Sequence, residues 1–346
     1  MMHCRPLGAS GLRVSELFLG AMTFADGFAH GAGRGEAQRI VDAYAEAGGN
    51  VIDTAVNYRD GASEQIVGEV LAGRRDRFVL CTKYGVSRDR ADPNAAGAHR
   101  KNLRLSLDTS LRRLRTDYID VWYLHLWDQL TPVEETMRAL DDAVTSGKVL
   151  HLGLSDTPAW VAAQATTLAH CHGWSPPAVL QARYSLLSRD AERDLIPAAE
   201  ALGMSVAAWS PLGGGVLSGK YTCPGGAQDS ARLSADAVTE RQHAIVRAVR
   251  GVAAELGASA SQVALAWTMT RTRAVHPILG VRRTDQLQDN LQALTVQLPP
   301  ESVAQLETAT GFEIGFPHDF ITDMHTFVFG EAADRVDRPS GGRRNR

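Results

Sequence analysis

The sequence lacks the features that would place it in several large classes. Its four cysteines, Cys4, Cys81, Cys171 and Cys223, lie far apart and form no CxxC pair. No disulfide framework is expected, and the thiols read as reduced. No apolar run approaches the ~18–20 residues that cross a bilayer. The N-terminal segment carries no apolar stretch of the kind a secretory signal needs. Neither charge dominates: 36 Lys and Arg against 39 Asp and Glu leave a formal net charge of −3. That balance gives no footprint for a polyanion. The expectation is a cytoplasmic protein with neither nucleic acid nor membrane as a partner. Its oligomeric state is not legible. G-x-G-x-x-G, H-E-x-x-H and G-x-S-x-G are all missing, which removes the usual dinucleotide, zinc-protease and serine-hydrolase signatures.

What is present is a rhythm. Hydrophobic residues make up 44% of the 346 residues, enough to build a packed core and exclude a disordered chain. Two short strand-like pieces, 2–6 and 13–14, flank the turn signal Gly8-Ala9-Ser10-Gly11 and predict a β-hairpin. Short apolar runs follow at 17–19, 51–52, 78–81, 119–124, 149–154, 179–181, 205–209 and 275–279. Helical periodicity fills the stretches 36–47, 64–71, 100–114, 132–146, 158–171, 192–202, 241–256 and 285–294. Thr131 before Pro132 reads as a helix cap, and Gly48, Gly147, Gly203 and Gly257 read as helix stops. Apolar strands without alternation are buried on both faces of a parallel sheet. Eight strand–helix units predict a single (β/α)8 TIM barrel over 1–346, preceded by the hairpin, with a mobile tail from about 330. An open doubly wound sheet is the alternative.

In such barrels the working residues stand at the C-terminal ends of the strands. Reading those positions collects Asp53 and Tyr58 after the second strand, Lys83 after the third and His125 after the fourth. A buried lysine needs a partner, and Asp53 is one strand away. A cation beside Tyr58 is expected to lower the phenol below its ordinary pKa of ~10 and make it a general acid. Singly, each residue has a structural reading: a packing tyrosine, a core histidine, a buried ion pair. Together, at successive strand ends, they make a catalytic set. Two decoys drop out. Residues 214–220 match the start of a P-loop, but Tyr221 stands where the Mg²⁺ hydroxyl belongs, and 222–226 cannot continue as a helix. His170-Cys171-His172 are adjacent, so on a helix they point apart and cannot share one metal ion. No metal is expected.

The residues taken together resemble the aldo-keto reductase superfamily, from about 5 to 298. Val51-Ile52-Asp53-Thr54-Ala55-Val56-Asn57-Tyr58 resembles its D-T-A-x-x-Y segment. Thr82-Lys83, His125 with Trp127-Asp128, Gly153-Leu154-Ser155-Asp156, Gln181 with Tyr184-Ser185-Leu186-Leu187, and Gly280-Val281-Arg282 resemble further segments in order. The pattern is most similar to the bacterial, potassium-channel-β-like branch. The resemblance implies a tetrad of Asp53, Tyr58, Lys83 and His125 and an NADP(H) cofactor. It implies that Ser155, Asp156 and Gln181 hold the carboxamide and that Trp209 stacks on the nicotinamide. Ser210, Leu212, Gly214 and Lys220 would surround the pyrophosphate, and Gly280, Arg282, Gln286 and Asn290 the adenosine end. Arg282 suits a 2′-phosphate because a guanidinium binds phosphate oxygens in pairs. The family usually has Asn at 156, and Asp lacks the amide donor. The expected reaction is NADPH-dependent reduction of a small-molecule aldehyde or ketone, including sugar-like or nucleotide-linked keto-deoxysugars. Trp127 and Arg59 are candidate substrate contacts, with Arg183 beside them. The alternative is a channel-β-type regulatory protein that binds the cofactor but turns over little.

Overall fold

The computed structural model describes residues 2–28, 31–221 and 238–336. Strands β1 (Cys4–Pro6) and β2 (Arg13–Ser15) pair antiparallel, as the turn signal between them requires. Eight parallel strands then close into a barrel. They are β3 (Phe18–Gly20), β4 (Val51–Asp53), β5 (Val79–Tyr84), β6 (Ile119–Leu124), β7 (Val149–Ser155), β8 (Pro177–Arg183), β9 (Ser205–Trp209) and β10 (Val275–Gly280). Each pairs with its sequence neighbours, and β10 pairs back onto β3 through Ile278 and Phe18. The helices between them are α1 (Arg34–Glu46), α2 (Ala62–Val70), α3 (Arg100–Leu114), α4 (Val133–Thr145), α5 (Ala159–His172), α6 (Leu195–Ala201), α7 (Glu240–Leu256), α8 (Ala260–Thr268) and α9 (Thr284–Leu291). After β10 and α9 come α10 (Pro300–Thr310), α11 (His318–Asp323) and α12 (His325–Phe329). No helix among the described residues is long and apolar enough to cross a membrane.

The strand alternation sorts side chains into two cores. Inward-facing Phe18, Val51, Val79, Cys81, Val121, Tyr123, Val179, Ala207 and Ile278 fill the barrel. Leu7 and Val14 of the hairpin join that cluster, so the hairpin plugs the N-terminal end. Outward-facing Leu19, Ile52, Leu80, Trp122, Leu152, Leu180 and Val206 pack against the helices. With its lower part filled by apolar groups, the barrel keeps its inward polar residues for the opposite end.

The structure departs from the sequence reading at several points. β5 runs through Tyr84, so Lys83 is an interior strand residue rather than a loop residue. Thr131 does not cap α4; the cap position is Pro132, and the Thr131 hydroxyl donates to the Asp128 carboxylate at 2.7 Å. Helix α4 begins one residue later than the Thr-Pro pair suggested, which takes Thr131 out of the cap position. The sixth helical stretch breaks into a 3₁₀ turn at Asp190–Glu192 and the short α6. Helix α8 was not anticipated. Val263, Ala264, Leu265, Ala266 and Trp267 are consecutive and all buried, which erases the polar face that helical periodicity needs. Its capping box, Ser259 with Gln262, was the available signal. The tail is helical through Gly330–Arg335, and residues 337–346, including the rest of the expected mobile segment, lie outside the described residues.

Gly153 shows how tightly the interior is filled. A Cβ there would stand 2.4 Å from the ring of Tyr123, which is wholly buried on the neighbouring strand. Gly153→Ala is therefore expected to destabilise the barrel by about 1–3 kcal/mol through overpacking, read from the denaturant midpoint. Gly11→Ala, with nothing within 4 Å of the added carbon, should move it by no more than about 0.5 kcal/mol.

Candidate active site

The site is built around one buried ammonium. Lys83 is 0% exposed and lies on β5 beside β4. Its Nζ has three protons and three acceptors: Asp53 Oδ1 at 2.5 Å, the Thr54 carbonyl at 2.7 Å and Tyr58 Oη at 3.3 Å. The second Asp53 oxygen accepts from Gln181 Nε2 at 3.0 Å. Every strong polar atom of the pair thus has a partner, which is the condition for keeping an ion pair out of water. His125 packs edge-on against the Tyr58 ring, centroids 5.6 Å apart. The four residues expected from the strand ends do converge.

The segment carrying Tyr58 is shaped from outside the barrel. Arg113 on α3 donates to the Val56 carbonyl at 2.7 Å and lies 3.3 Å from Glu64 at the start of α2. The Glu64 side chain is buried and accepts from the Thr82 hydroxyl at 2.8 Å. Directly after Tyr58, Arg59 and Asp60 have left-handed backbones (φ 53 and 54), which turns the chain back into α2. Sequence reasoning missed Glu64 and Arg113. A glutamate in the first turn of a helix and an arginine in a basic helix both read as solvated.

The electrostatics correct one expectation. The Tyr58 phenol is pushed above its ordinary value, not below it. Burial raises it and outweighs the lowering by Lys83. Burial also works against the charge of Lys83, but Asp53 and Tyr58 more than offset it, so the ammonium is held more firmly than usual. Burial, with help from Lys83, brings the His125 imidazole from 6.5 down to about 3. His125 is therefore neutral, and its Nδ1 is buried without a partner among the described residues.

These groups open into a cavity of about 620 Å³ at the C-terminal end of the barrel. Asp53, Tyr58 and His125 line one end, with Ser155, Asp156, Gln181 and Trp209 beside them. Ser210, Leu212, Gly214 and Lys220 continue along the loop after β9, where Gly213, Gly214 and Gly215 all take positive φ. Gly280, Arg282, Gln286 and Asn290 line the far side. All twelve expected cofactor positions border one space. Its chemistry is graded, with amide and carboxylate groups near Tyr58 and the cations Lys220 and Arg282 further out. That order fits an extended dinucleotide with an amide-bearing ring at one end and phosphates beyond it. Met22, Thr23, Asn57, Val86, Ser261 and Asp289 also line the cavity and were not anticipated. Ser261 belongs to the unforeseen helix α8, and Asp289 is tied to that helix through Gln262 at 2.7 Å.

Two expected residues are not brought to the cavity wall. Arg59 lies over the Phe28 ring at 3.7 Å and donates to the Met22 carbonyl. Trp127 stands edge-on against Trp160. The left-handed turn swings the Arg59 side chain outward, and Trp127 has an aromatic neighbour on α5. Arg183 covers the Trp209 ring at 4.5 Å rather than facing a substrate. His172 stacks on Trp174, and no group of three or more metal-ligating side chains occurs among the described residues. Tyr221, at the hydroxyl position of the P-loop-like run, is buried, and 222–226 lie outside the described residues.

Two measurements probe the buried pair and the imidazole. Lys83→Met leaves the Asp53 carboxylate buried without its cation and is expected to cost about 3–5 kcal/mol in denaturant unfolding. The double variant with Asp53→Asn should recover part of that loss. Between pH 7.5 and 5 the His125 ring resonances should not titrate. Unfolded His125 takes up a proton near pH 6.5 while the folded ring waits until about 3. The unfolded state therefore binds more protons as pH falls through 6.5, and His125 makes folding stability decline there.

Comparison with known proteins places this geometry. The pattern of the aldo/keto reductase family matches residues 16–310. A norsolorinic acid reductase of Aspergillus flavus is 37% identical, over 92% of this chain and 83% of that protein. Norsolorinic acid reductase B of Dothistroma septosporum is 38% identical, over 93% and 85%. An aryl-alcohol dehydrogenase of Pestalotiopsis microspora is 36% identical, over 90% and 83%. These relatives are fungal and give no support to the bacterial, potassium-channel-β-like branch. They and the family match, set beside the closed barrel, lead to one conclusion: the chain belongs to the aldo/keto reductase family of oxidoreductases.

Proposed function

We propose that the protein interconverts an aromatic aldehyde or ketone and its alcohol, using NADP(H), with Tyr58 as the proton donor and acceptor. The observation that carries the reading is the contact of the Tyr58 hydroxyl with the Lys83 ammonium at 3.3 Å, at the edge of the cavity. The raised pKa keeps Tyr58 protonated at neutral pH, as an acid must be before it acts. As the carbonyl oxygen gains negative charge, Tyr58 releases its proton to it. Lys83, fixed by Asp53, steadies the phenolate left behind. The neutral His125 imidazole offers a hydrogen bond to the same oxygen without competing for the proton. When bound, the nicotinamide supplies the hydride to the carbonyl carbon, so one hydride and one proton from Tyr58 complete the alcohol.

The other lining residues hold and orient. Gln181 gives one amide proton to Asp53 and keeps its oxygen and second proton for a carboxamide, together with Ser155 and Asp156. Trp209 offers its ring as a wall. Ser210, Leu212, Gly214 and Lys220 would border the pyrophosphate, and Gly280, Gln286 and Asn290 the adenosine. Arg282 favours a 2′-phosphate, which supports NADP(H) over NAD(H). The aryl-alcohol dehydrogenase among the fungal relatives favours aryl substrates over the sugar-like ones expected first. The apolar side chains of Met22 and Val86 beside Tyr58 and His125 support the same choice.

With NADPH and a panel of benzaldehydes and aryl ketones, the wild-type protein should consume the reduced cofactor. Tyr58→Phe should lose about 10²–10⁴-fold in kcat while still binding NADPH by calorimetry. Cofactor binding with no turnover on any carbonyl would instead favour a regulatory protein.

A further inference from the structure

Asp156 puts a negative charge where the reading above seats the nicotinamide ring. It follows β7, lines the cavity and has a left-handed backbone, φ 41. Its side chain is fixed: Trp209 Nε1 donates to Oδ1 at 2.9 Å. An indole N–H can only donate, so this bond needs an acceptor and does not itself require a charge. An asparagine oxygen would serve it equally well. The charge is therefore a separate property, and its consequence depends on what else faces it. Lys83 is paired with Asp53, which weakens its pull on Asp156 without removing it. Tyr58 and His125 are neutral. Among the described residues Arg183, across the Trp209 ring, is an opposing cation acting on Asp156, and its exposure lets water screen it. Asp156 is thus a weakly compensated charge in the Ser155, Gln181 and Trp209 end of the cavity.

An oxidised nicotinamide ring carries one positive charge and a reduced ring carries none. Hydrogen bonds to the carboxamide act on both forms alike, and any preference from stacking on Trp209 stays the same when only the charge at Asp156 is changed. A net charge on the wall acts on the two forms differently. We infer that Asp156 selects the redox state of the bound cofactor, its carboxylate favouring the oxidised, cationic nicotinamide and so making the bound reduced form a stronger hydride donor, which biases this site toward carbonyl reduction. This inference rests on the nicotinamide reading and adds a direction to it. At separations of several ångströms in a half-exposed site, one unit charge is worth about fivefold to tenfold in relative affinity.

The test is calorimetric titration of the intact protein with NADP⁺ and NADPH separately. Asp156→Asn keeps the bond to Trp209 and removes the charge. It should lower the preference for NADP⁺ over NADPH by about fivefold to tenfold, mainly by weakening NADP⁺. Arg183→Gln removes the opposing cation and should shift the same ratio the other way, by about twofold. A purely structural role for Asp156 would weaken both nucleotides together. If the ratio is unmoved in Asp156→Asn while both nucleotides still bind, the inference is wrong and the cofactor reading stands. If the wild-type protein binds neither nucleotide, the cofactor reading itself falls and takes the inference with it. Should Asp156→Asn fail to fold, Arg183→Gln decides alone, and an unchanged or reduced preference there overturns the proposal.

Discussion

The ammonium of Lys83, held out of water, is the constraint from which the rest of the site follows. A lysine inside a barrel is tolerable only when all three protons are taken, and β4 supplies all three acceptors: the Asp53 carboxylate, the Thr54 carbonyl and, through the following turn, the Tyr58 hydroxyl. That demand fixes the register in which β4 and β5 expose their ends. It also draws in Gln181 from the far side of the barrel to satisfy Asp53. The hairpin plug and the apolar interior below make the same space dry, so charge placed there acts strongly.

Display of Tyr58 costs the chain something elsewhere. Two consecutive non-glycine residues sit in the left-handed region, and a buried glutamate is held against its tendency to protonate. Arg113 meets both needs, bonding the Val56 carbonyl and Glu64 from α3. The helices outside the barrel are therefore part of the site's architecture, although none of those side chains reaches the cavity. Strain of this kind persists where surrounding contacts over-determine the backbone.

Two of the ionisable groups facing the cavity, Tyr58 and Asp156, are shifted in the same direction by the same force. Burial raises both the Tyr58 phenol and the Asp156 carboxyl. For the phenol, it secures the proton needed for donation. For the carboxyl, it works against a charge that Trp209, Arg183 and Lys83 help to keep. The same pocket thus holds an acid at one wall and an anion at another because a phenol and a carboxyl start far apart, and burial shifts both upward without reversing that order.

The sequence by itself determined the strand count, the closed barrel, the hairpin and the convergence of Asp53, Tyr58, Lys83 and His125, because apolar runs and strand-end positions are local and periodic. The family resemblance also named twelve positions for a cofactor, and these border one cavity. Apolar periodicity did not reveal helix α8, whose consecutive buried residues 263–267 carry no period, nor that α4 begins one residue past the cap expected at Thr131. Only the tertiary structure decided that Arg59 and Trp127 turn away from the cavity, that Glu64 and Arg113 brace the tyrosine, and that the phenol is raised rather than lowered. Those outcomes are balances between desolvation and neighbours distant along the chain, and no local pattern encodes a balance of that kind.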